Sequence, residues 1–129
     1  MKIAVTGANG YFGKILVQFL REKNFEVKPS DLFPGRSEEG AVNCDVRDLG
    51  HLVSVFQGCD AVVHLAAFPG PWTQPDAKVY QDNTVGSYNV LLACELLGIK
   101  KICQASSINA IGGVYSRLPT YDYFPVDEE

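Results

Sequence analysis

Gly7, Gly10 and Gly13 stand three residues apart between an apolar run, Lys2-Ile3-Ala4-Val5, and a helical pattern. That spacing lets a chain turn sharply, approach a ligand closely and aim the unpaired N–H groups of a helix start at an anion. With a strand before it and a helix after it, Thr6-Gly7-Ala8-Asn9-Gly10-Tyr11-Phe12-Gly13 reads as a cradle for a dinucleotide pyrophosphate. Asn9, Tyr11 and Phe12 belong to that cradle and count with the three glycines as cofactor-binding residues. Asp31 follows 18 positions after Gly13. A carboxylate there accepts a ribose 2′-hydroxyl and repels a 2′-phosphate, so NAD is expected over NADP. Arg36 is the nearby cation that would oppose that preference.

The elements that must hold these residues follow from periodicity. Phe12, Ile15, Leu16, Phe19 and Leu20 recur at helical spacing and are expected to form the face that packs on a sheet. A second strand around Phe25-Glu26-Val27-Lys28 delivers Asp31. A Pro/Gly stretch, Leu32 to Gly40, reads as a surface loop. Ala41-Val42-Asn43-Cys44 forms a short third strand. Asp48 caps a helix marked by Leu49, Leu52, Val53 and Phe56, and Gly58 ends it. Ala61-Val62-Val63-His64-Leu65 has the unbroken apolar character of a parallel strand covered on both faces. Three prolines between Ala66 and Pro75 exclude regular structure ahead of a long helix, about 76–97. A fifth strand, Lys101 to Ala105, runs into Ser106-Ser107. Strands alternating with helices and no internal repeat give an α/β fold, a doubly wound parallel sheet of Rossmann type with five strands in the order 3-2-1-4-5. Ligands bind at the carboxyl edge of such a sheet, where the order reverses beside strand 1. The dinucleotide-binding domain is expected over 1–112, with an irregular tail over 113–129.

The 129 residues, 47% apolar and 20% charged, suit one globular domain. A net charge of −4 argues against nucleic acid and anionic membrane surfaces as partners. No apolar stretch reaches the roughly 18 residues of a membrane span, and the apolar start is too short for a secretion signal. A cytoplasmic location is expected. Cys44, Cys59, Cys94 and Cys103 form no CxxC pair and lie in apolar runs, so reduced thiols are expected and no metal site. His64, at the end of a buried strand, reads as a satisfied core group, and His51 as a surface residue.

The pattern TGxxGxxG at Thr6–Gly13, rather than the generic GxGxxG, resembles the extended short-chain dehydrogenase/reductase family, which holds the NAD-dependent sugar epimerases and dehydratases. The resemblance continues at least to Gly112. It implies that Asp45 accepts from the adenine amino group while Val46 packs on the ring. It also implies that Leu65, Ala66 and Ala67 line the cofactor, and that Asn83 in Asn83-Thr84-Val85-Gly86-Ser87 braces the cofactor region. Ser106 would touch the cofactor. Ser107, five residues before Gly112, would hydrogen-bond the reacting sugar hydroxyl or carbonyl as a catalytic residue. Ile111 and Asn109 depart from the family's SSxxxYG pattern and imply an atypical substrate pocket. Asn83 and Gly86 are poor helix formers, which by itself implies close packing or a specific hydrogen bond at that point of the helix.

The family's proton-exchanging tyrosine has a lysine four residues later, and this sequence has no such pair. Tyr11, Tyr80, Tyr88, Tyr115, Tyr121 and Tyr123 are followed at that distance by Ile15, Thr84, Leu92, Pro119, Pro125 and Asp127. A hydride acceptor without a matched proton acceptor does not turn over. The chain is therefore expected to be the NAD-binding part of an oxidoreductase, epimerase or dehydratase acting on a sugar or nucleotide-sugar, lacking the C-terminal part of the family fold. The fifth strand and long helix would then expose apolar surface that association, as a homodimer, would cover. Asp31-Leu32-Phe33-Pro34 and Ala105–Asn109 also resemble uronate dehydrogenases, which oxidise simple sugar acids. The alternative from another class is a non-catalytic dinucleotide-binding module that senses redox state.

Overall fold

The computed structural model of the chain describes residues 1–33, 40–70, 74–107 and 110. Its elements are β1 (Lys2–Thr6), α1 (Tyr11–Glu22), β2 (Glu26–Asp31), β3 (Val42–Asn43), α2 (Leu49–Phe56), β4 (Ala61–His64), α3 (Asp76–Leu96) and β5 (Lys101–Gln104). The strands form one parallel sheet in the order β3-β2-β1-β4-β5, the expected topology. β2 extends through Pro29 to Asp31, beyond its expected apolar run, and β3 is two residues long. Arg36, Pro71, Asn109, Ile111, Gly112, the 113–129 tail and its three tyrosines lie outside the described residues.

Alternation along β1 and β4 builds a core on each face of the sheet. Ala4 and Val62 point towards α2 and α3, where they meet Leu52, Phe56, Val90 and Cys94. Ile3, Val5 and Ala61 point the other way, onto Ala8, Val17 and Leu20. Leu52 and Phe56 are wholly buried, each stabilising the fold by roughly 2–3 kcal/mol through area removed from water. Gly58, at φ +75°, ends α2 in the left-handed conformation expected of it. Asp48 caps the same helix by accepting from the His51 N–H at 3.1 Å.

The expected face of α1 holds at Leu16 and Leu20 and fails at Phe12, Ile15 and Phe19. Phe12, Ile15 and Phe19 are 74%, 54% and 51% exposed, and the buried stripe of α1 is Gly13, Val17 and Leu20, with Leu16 half-buried beside it. The cause is Gly13. Its α-carbon comes so close to the preceding loop that a β-carbon would lie 2.8 Å from Ala8 and still nearer the Gly7 carbonyl. That contact sets the rotation of α1 about its own axis, turning Gly13 inward and displacing the expected stripe by about one residue.

α3 carries the helix-breaking types that the sequence flagged, and both have work in the packing. A β-carbon on Gly86 would meet the Val46 Cγ2 at 2.8 Å, so glycine permits the helix to press on the segment after β3. Asn83 holds the segment after β4 from both sides of one residue. Its Oδ1 accepts from the Phe68 N–H at 2.9 Å and its Nδ2 donates to the Phe68 carbonyl at 3.0 Å. Asn89, one turn beyond Gly86, donates through Nδ2 to the carbonyls of Val46 and Arg47 at 3.2 and 2.8 Å. On the opposite side α3 is bare. Tyr80, Tyr88 and Leu91 are exposed, as are all four residues of β5, the apolar surface expected of this edge.

At the centre of the sheet Thr6 and His64 lie opposite each other in register, with Thr6 Oγ1 and His64 Nδ1 2.6 Å apart. Thr6 Oγ1 also accepts from the Ala66 N–H at 3.4 Å, so the same hydroxyl joins the buried imidazole to the chain leaving β4. His64 is 4% exposed, and burial pushes its pKa down to about 4. It is the core histidine the sequence implied.

Two outcomes follow from these contacts. Between pH 6.5 and about 4 the unfolded chain protonates its histidine while the folded chain resists. Stability is therefore complete above that window and is lost as pH falls through it, by on the order of 2–3 kcal/mol. Urea denaturation across this range will show a steeper loss for the native chain than for His64→Asn, whose amide oxygen still accepts from Thr6. Asn83→Ala orphans both Phe68 backbone groups and costs about 1–3 kcal/mol. Hydrogen exchange at the Phe68 amide will accelerate in Asn83→Ala and stay slow in Asn83→Asp, which keeps the acceptor.

Candidate functional site

A cleft of about 210 Å³ opens at the carboxyl edge of the sheet, where β1 gives way to β4. Its floor is the glycine loop. Gly7, at φ +69°, lies so close to the chain leaving β4 that a β-carbon would sit 2.6 Å from the Ala66 nitrogen. Gly10 is less crowded, since a β-carbon there would meet only the Gly7 carbonyl, at 3.2 Å. The N–H groups of Ala8, Asn9 and Gly10 are already used, donating to the Ser30 carbonyl, the Asp31 carboxylate and the Gly7 carbonyl. The first α-helical bond runs from the Lys14 N–H to the Gly10 carbonyl at 3.1 Å, and no side chain caps α1. The amides of the helix start that precede the first helical bond are those of Tyr11, Phe12 and Gly13, and the side chains of Tyr11 and Phe12 project into solvent.

Asp31 joins the loop to the end of β2. Its Oδ2 accepts from the Asn9 N–H at 3.0 Å and its Oδ1 from the Phe33 N–H at 3.1 Å, while Asn9 Nδ2 donates to the Phe33 carbonyl at 2.7 Å. Each carboxylate oxygen accepts one N–H and retains further acceptor capacity, and Asp31 lines the cleft. Asn9 is therefore part of the scaffold that aims Asp31, and it does not itself line the cleft.

The opposite wall comes from the segment after β3. Val46 lines the cleft and packs on Gly86, as a surface for a flat ring requires. Asp45 lines it too, already engaged by Arg47. The Arg47 N–H and Nε donate to Asp45 Oδ1 at 2.9 Å each, and Nη2 donates to Oδ2 at 2.6 Å. Hydrogen bonding to that guanidinium holds the Asp45 carboxyl below the usual carboxylate range. Arg47 Nη1 also reaches Asp82 Oδ2 at 3.2 Å, and Lys78 Nζ reaches the same oxygen at 2.7 Å. Those two cations, Lys78 foremost, hold the Asp82 carboxyl down as well.

Leu65, Ala66, Ala67 and Asn83 complete the lining on the β4 side. The structure thus brings nine of the expected residues around one cleft: Gly7, Gly10, Asp31, Asp45 and Val46, with those four. Gly13 acts from behind, by setting α1. Ser106 and Ser107 stand at the same sheet edge one strand further out, both exposed, and are not in the lining. Ala105 continues the β5 pairing by donating to the His64 carbonyl, and the Ser107 carbonyl accepts from the Ala110 N–H at 2.9 Å. Sequence reasoning missed Arg47, Asp82 and Phe68. An arginine between two aspartates in Asp45-Val46-Arg47-Asp48 was the available signal for the first. Cys44 also faces the cleft, where burial pushes its thiol up to about 11, so it is inert at neutral pH. The four cysteines are free thiols. No helix among the described residues is long and apolar enough to cross a membrane.

Comparison with known proteins agrees with this geometry. Residues 3–127 match the family model of the NAD dependent epimerase/dehydratase family. L-arabinose 1-dehydrogenase (NAD(P)(+)) of Haloferax volcanii is 41% identical over 108 residues, which are 82% of this chain and 41% of that one. The crystal structure of uronate dehydrogenase from Agrobacterium tumefaciens complexed with NAD superposes at a TM-score of 0.72 with 29% identity, over 82% of this chain and 40% of that one. MoeE5 in complex with UDP-glucose and NAD superposes at 0.76 with 30% identity, over 87% and 38%. The chain spans about two fifths of the length of these relatives. With a match running through nearly all of its residues and a glycine cradle facing an acidic strand end, this chain belongs to the NAD-dependent epimerase/dehydratase family.

Proposed function

We propose that this chain is the NAD-binding part of an oxidoreductase or epimerase that acts on a sugar or nucleotide-sugar by hydride transfer. The observation that carries the reading is the closeness of Gly7 and Gly13 to backbone, which leaves the mouth of the loop open beside an uncapped helix start. A pyrophosphate fits there, held by the Tyr11 and Phe12 amides and by the positive end of α1. Asp31 takes the ribose hydroxyls and excludes a 2′-phosphate. Asp45 and Val46 take the adenine, and Leu65–Ala67 line the path towards the reacting end. When bound, NAD supplies the hydride acceptor. Ser107 orients the sugar hydroxyl or carbonyl, and Ser106 supports the cofactor beside it.

The reading of sugars as substrates is supported by relatives whose names specify arabinose, uronate and UDP-glucose. Proton exchange needs a base that none of the chain's tyrosines supplies in the family's pattern. The 129-residue chain is accordingly expected to bind NAD without turnover. The uncovered face of α3 and β5, with Tyr80, Tyr88, Leu91 and Ile102 exposed, supports association as a homodimer in the active form. Four free thiols, three of them buried, support a reducing, cytoplasmic setting.

Gly10 provides the test, because its β-carbon position is crowded only by one carbonyl and its φ of −67° suits any residue. Titration calorimetry with NAD and NADP will show NAD preferred. Gly10→Val will weaken NAD binding at least about tenfold by filling the anion's approach, with the thermal midpoint moving only a few degrees. Unchanged affinity in Gly10→Val refutes the placement. NAD binding in a longer chain that restores the YxxxK pair, yet with no change of reduced-nicotinamide absorbance on any sugar, would favour the redox-sensing module over the enzyme.

A further inference from the structure

α1 is apolar on two sides, and the fold uses one of them. Its buried stripe is Gly13, Val17 and Leu20. At about 100° per residue, Phe12, Ile15 and Phe19 fall within an arc of about 60° whose centre lies roughly 130° from that stripe. Each of the three is more than half exposed, and the still more exposed Tyr11 stands edge-on to Phe12 with ring centroids 5.4 Å apart. The helix cannot roll to hide them, because the approach of Gly13 to the Gly7–Ala8 peptide fixes its rotation. Together the four side chains expose roughly 500 Å² of apolar surface, at the upper end of the largest patch on an ordinary monomer.

We propose that this stripe docks on the same stripe of a second copy of the chain, the two α1 helices lying antiparallel about a twofold axis beside Ile15. The spacing identifies the occupant. An axis at the middle of the stripe sets Phe12 of each copy against Phe19 of the other, so the pattern is self-complementary, as an isologous contact requires. No charged residue interrupts it, since Glu22 and Lys23 stand only at its carboxyl end. Antiparallel packing also brings the carboxyl end of one helix, with Glu22, beside the positive amino end of the other, whereas parallel packing would set like ends together. Two patches of this size remove about 1,000 Å² from solvent, the least that a specific contact needs, so the pair is weak, with a dissociation constant of about 10–100 µM. The contact does not compete with association through α3 and β5, because α1 and α3 cover opposite faces of the sheet.

Sedimentation velocity of the 129-residue chain from about 5 to about 500 µM will show a monomer–dimer step in that range. Ile15→Glu and Phe19→Glu, both at exposed positions, will weaken it at least about tenfold with the thermal midpoint of the dilute chain unchanged, and Leu91→Glu on α3 will leave it as it is. In a Cys103→Ser background, which removes the exposed thiol, a short bismaleimide will join Ile15→Cys into a covalent dimer and will not join Lys14→Cys, on the other side of α1. Should the glutamate variants fail to fold, the cysteine variants decide, since they bury no charge. A chain that stays monomeric throughout the range overturns the proposal. Association that Leu91→Glu abolishes and Phe19→Glu leaves intact overturns it by moving the contact to α3. Shielding of Ile15→Cys from maleimide in a dilute, longer chain with the family's full length assigns the stripe to a later segment of the same protein, and overturns it as well.

Discussion

Two backbone approaches with no room for a β-carbon govern this fold: Gly7 against Ala66, and Gly13 against the Gly7–Ala8 peptide. The first brings the end of β1 against the chain leaving β4, so that the crevice beside β1 is narrow and walled by main chain. The second presses the start of α1 onto the loop and determines which way the helix faces. Both are all-or-none constraints, because an added methyl would meet backbone and not a side chain that could turn aside. The core can absorb modest changes of shape, but the crevice exists only while these two approaches are kept.

α3 answers the same constraint from the other side of the sheet. A helix chosen for stability alone would not place Asn83, Gly86 and Asn89 in its interior, where each is less favourable than alanine by roughly 0.5–1 kcal/mol. They recur at helical spacing on the surface that meets the two loops of the cleft: Asn83 on Phe68, Gly86 on Val46, Asn89 on the carbonyls of Val46 and Arg47. Local propensity is given up for the positions of two loops that have no secondary structure to order them. Conflict between local and global preference concentrates where ligands are met, and α3 shows it along about two turns.

That division explains what could be read in advance. Strand order, the glycine loop, the Asp48 cap and the buried histidine depend on local pattern or on packing that any parallel sheet imposes, and each is visible in residue types. The face of α1 was not legible, because Phe12, Ile15 and Phe19 form a convincing apolar stripe while the rotation of the helix is set by a contact of Gly13 with the preceding loop. Arg47 was equally hidden. Its partner Asp45 is two residues away and readable as a turn, but Asp82 is 35 residues distant and on another element. That Asp45 is held by Arg47, itself tied to Asp82, depends on packing that no local pattern displays.

The charge distribution shows why the cleft is built this way. A chain of net charge −4 that receives an anionic dinucleotide cannot rely on long-range attraction. It must keep its carboxylates away from the phosphates and its donors close to them. Asp31 and Asp45 line the cleft, and in the proposed placement they meet the ribose and the base. Arg47 and Lys78 offset Asp45 and Asp82 within direct contact. In the proposed placement the phosphates fall to uncharged amides and the partial positive charge of the α1 terminus, about half an elementary charge. Screening over roughly 8–10 Å at ordinary ionic strength makes the separation sufficient, since each group of the ligand responds chiefly to its own neighbours. Such a site owes its selectivity to where the acceptors point, and hence to the backbone contacts that hold them.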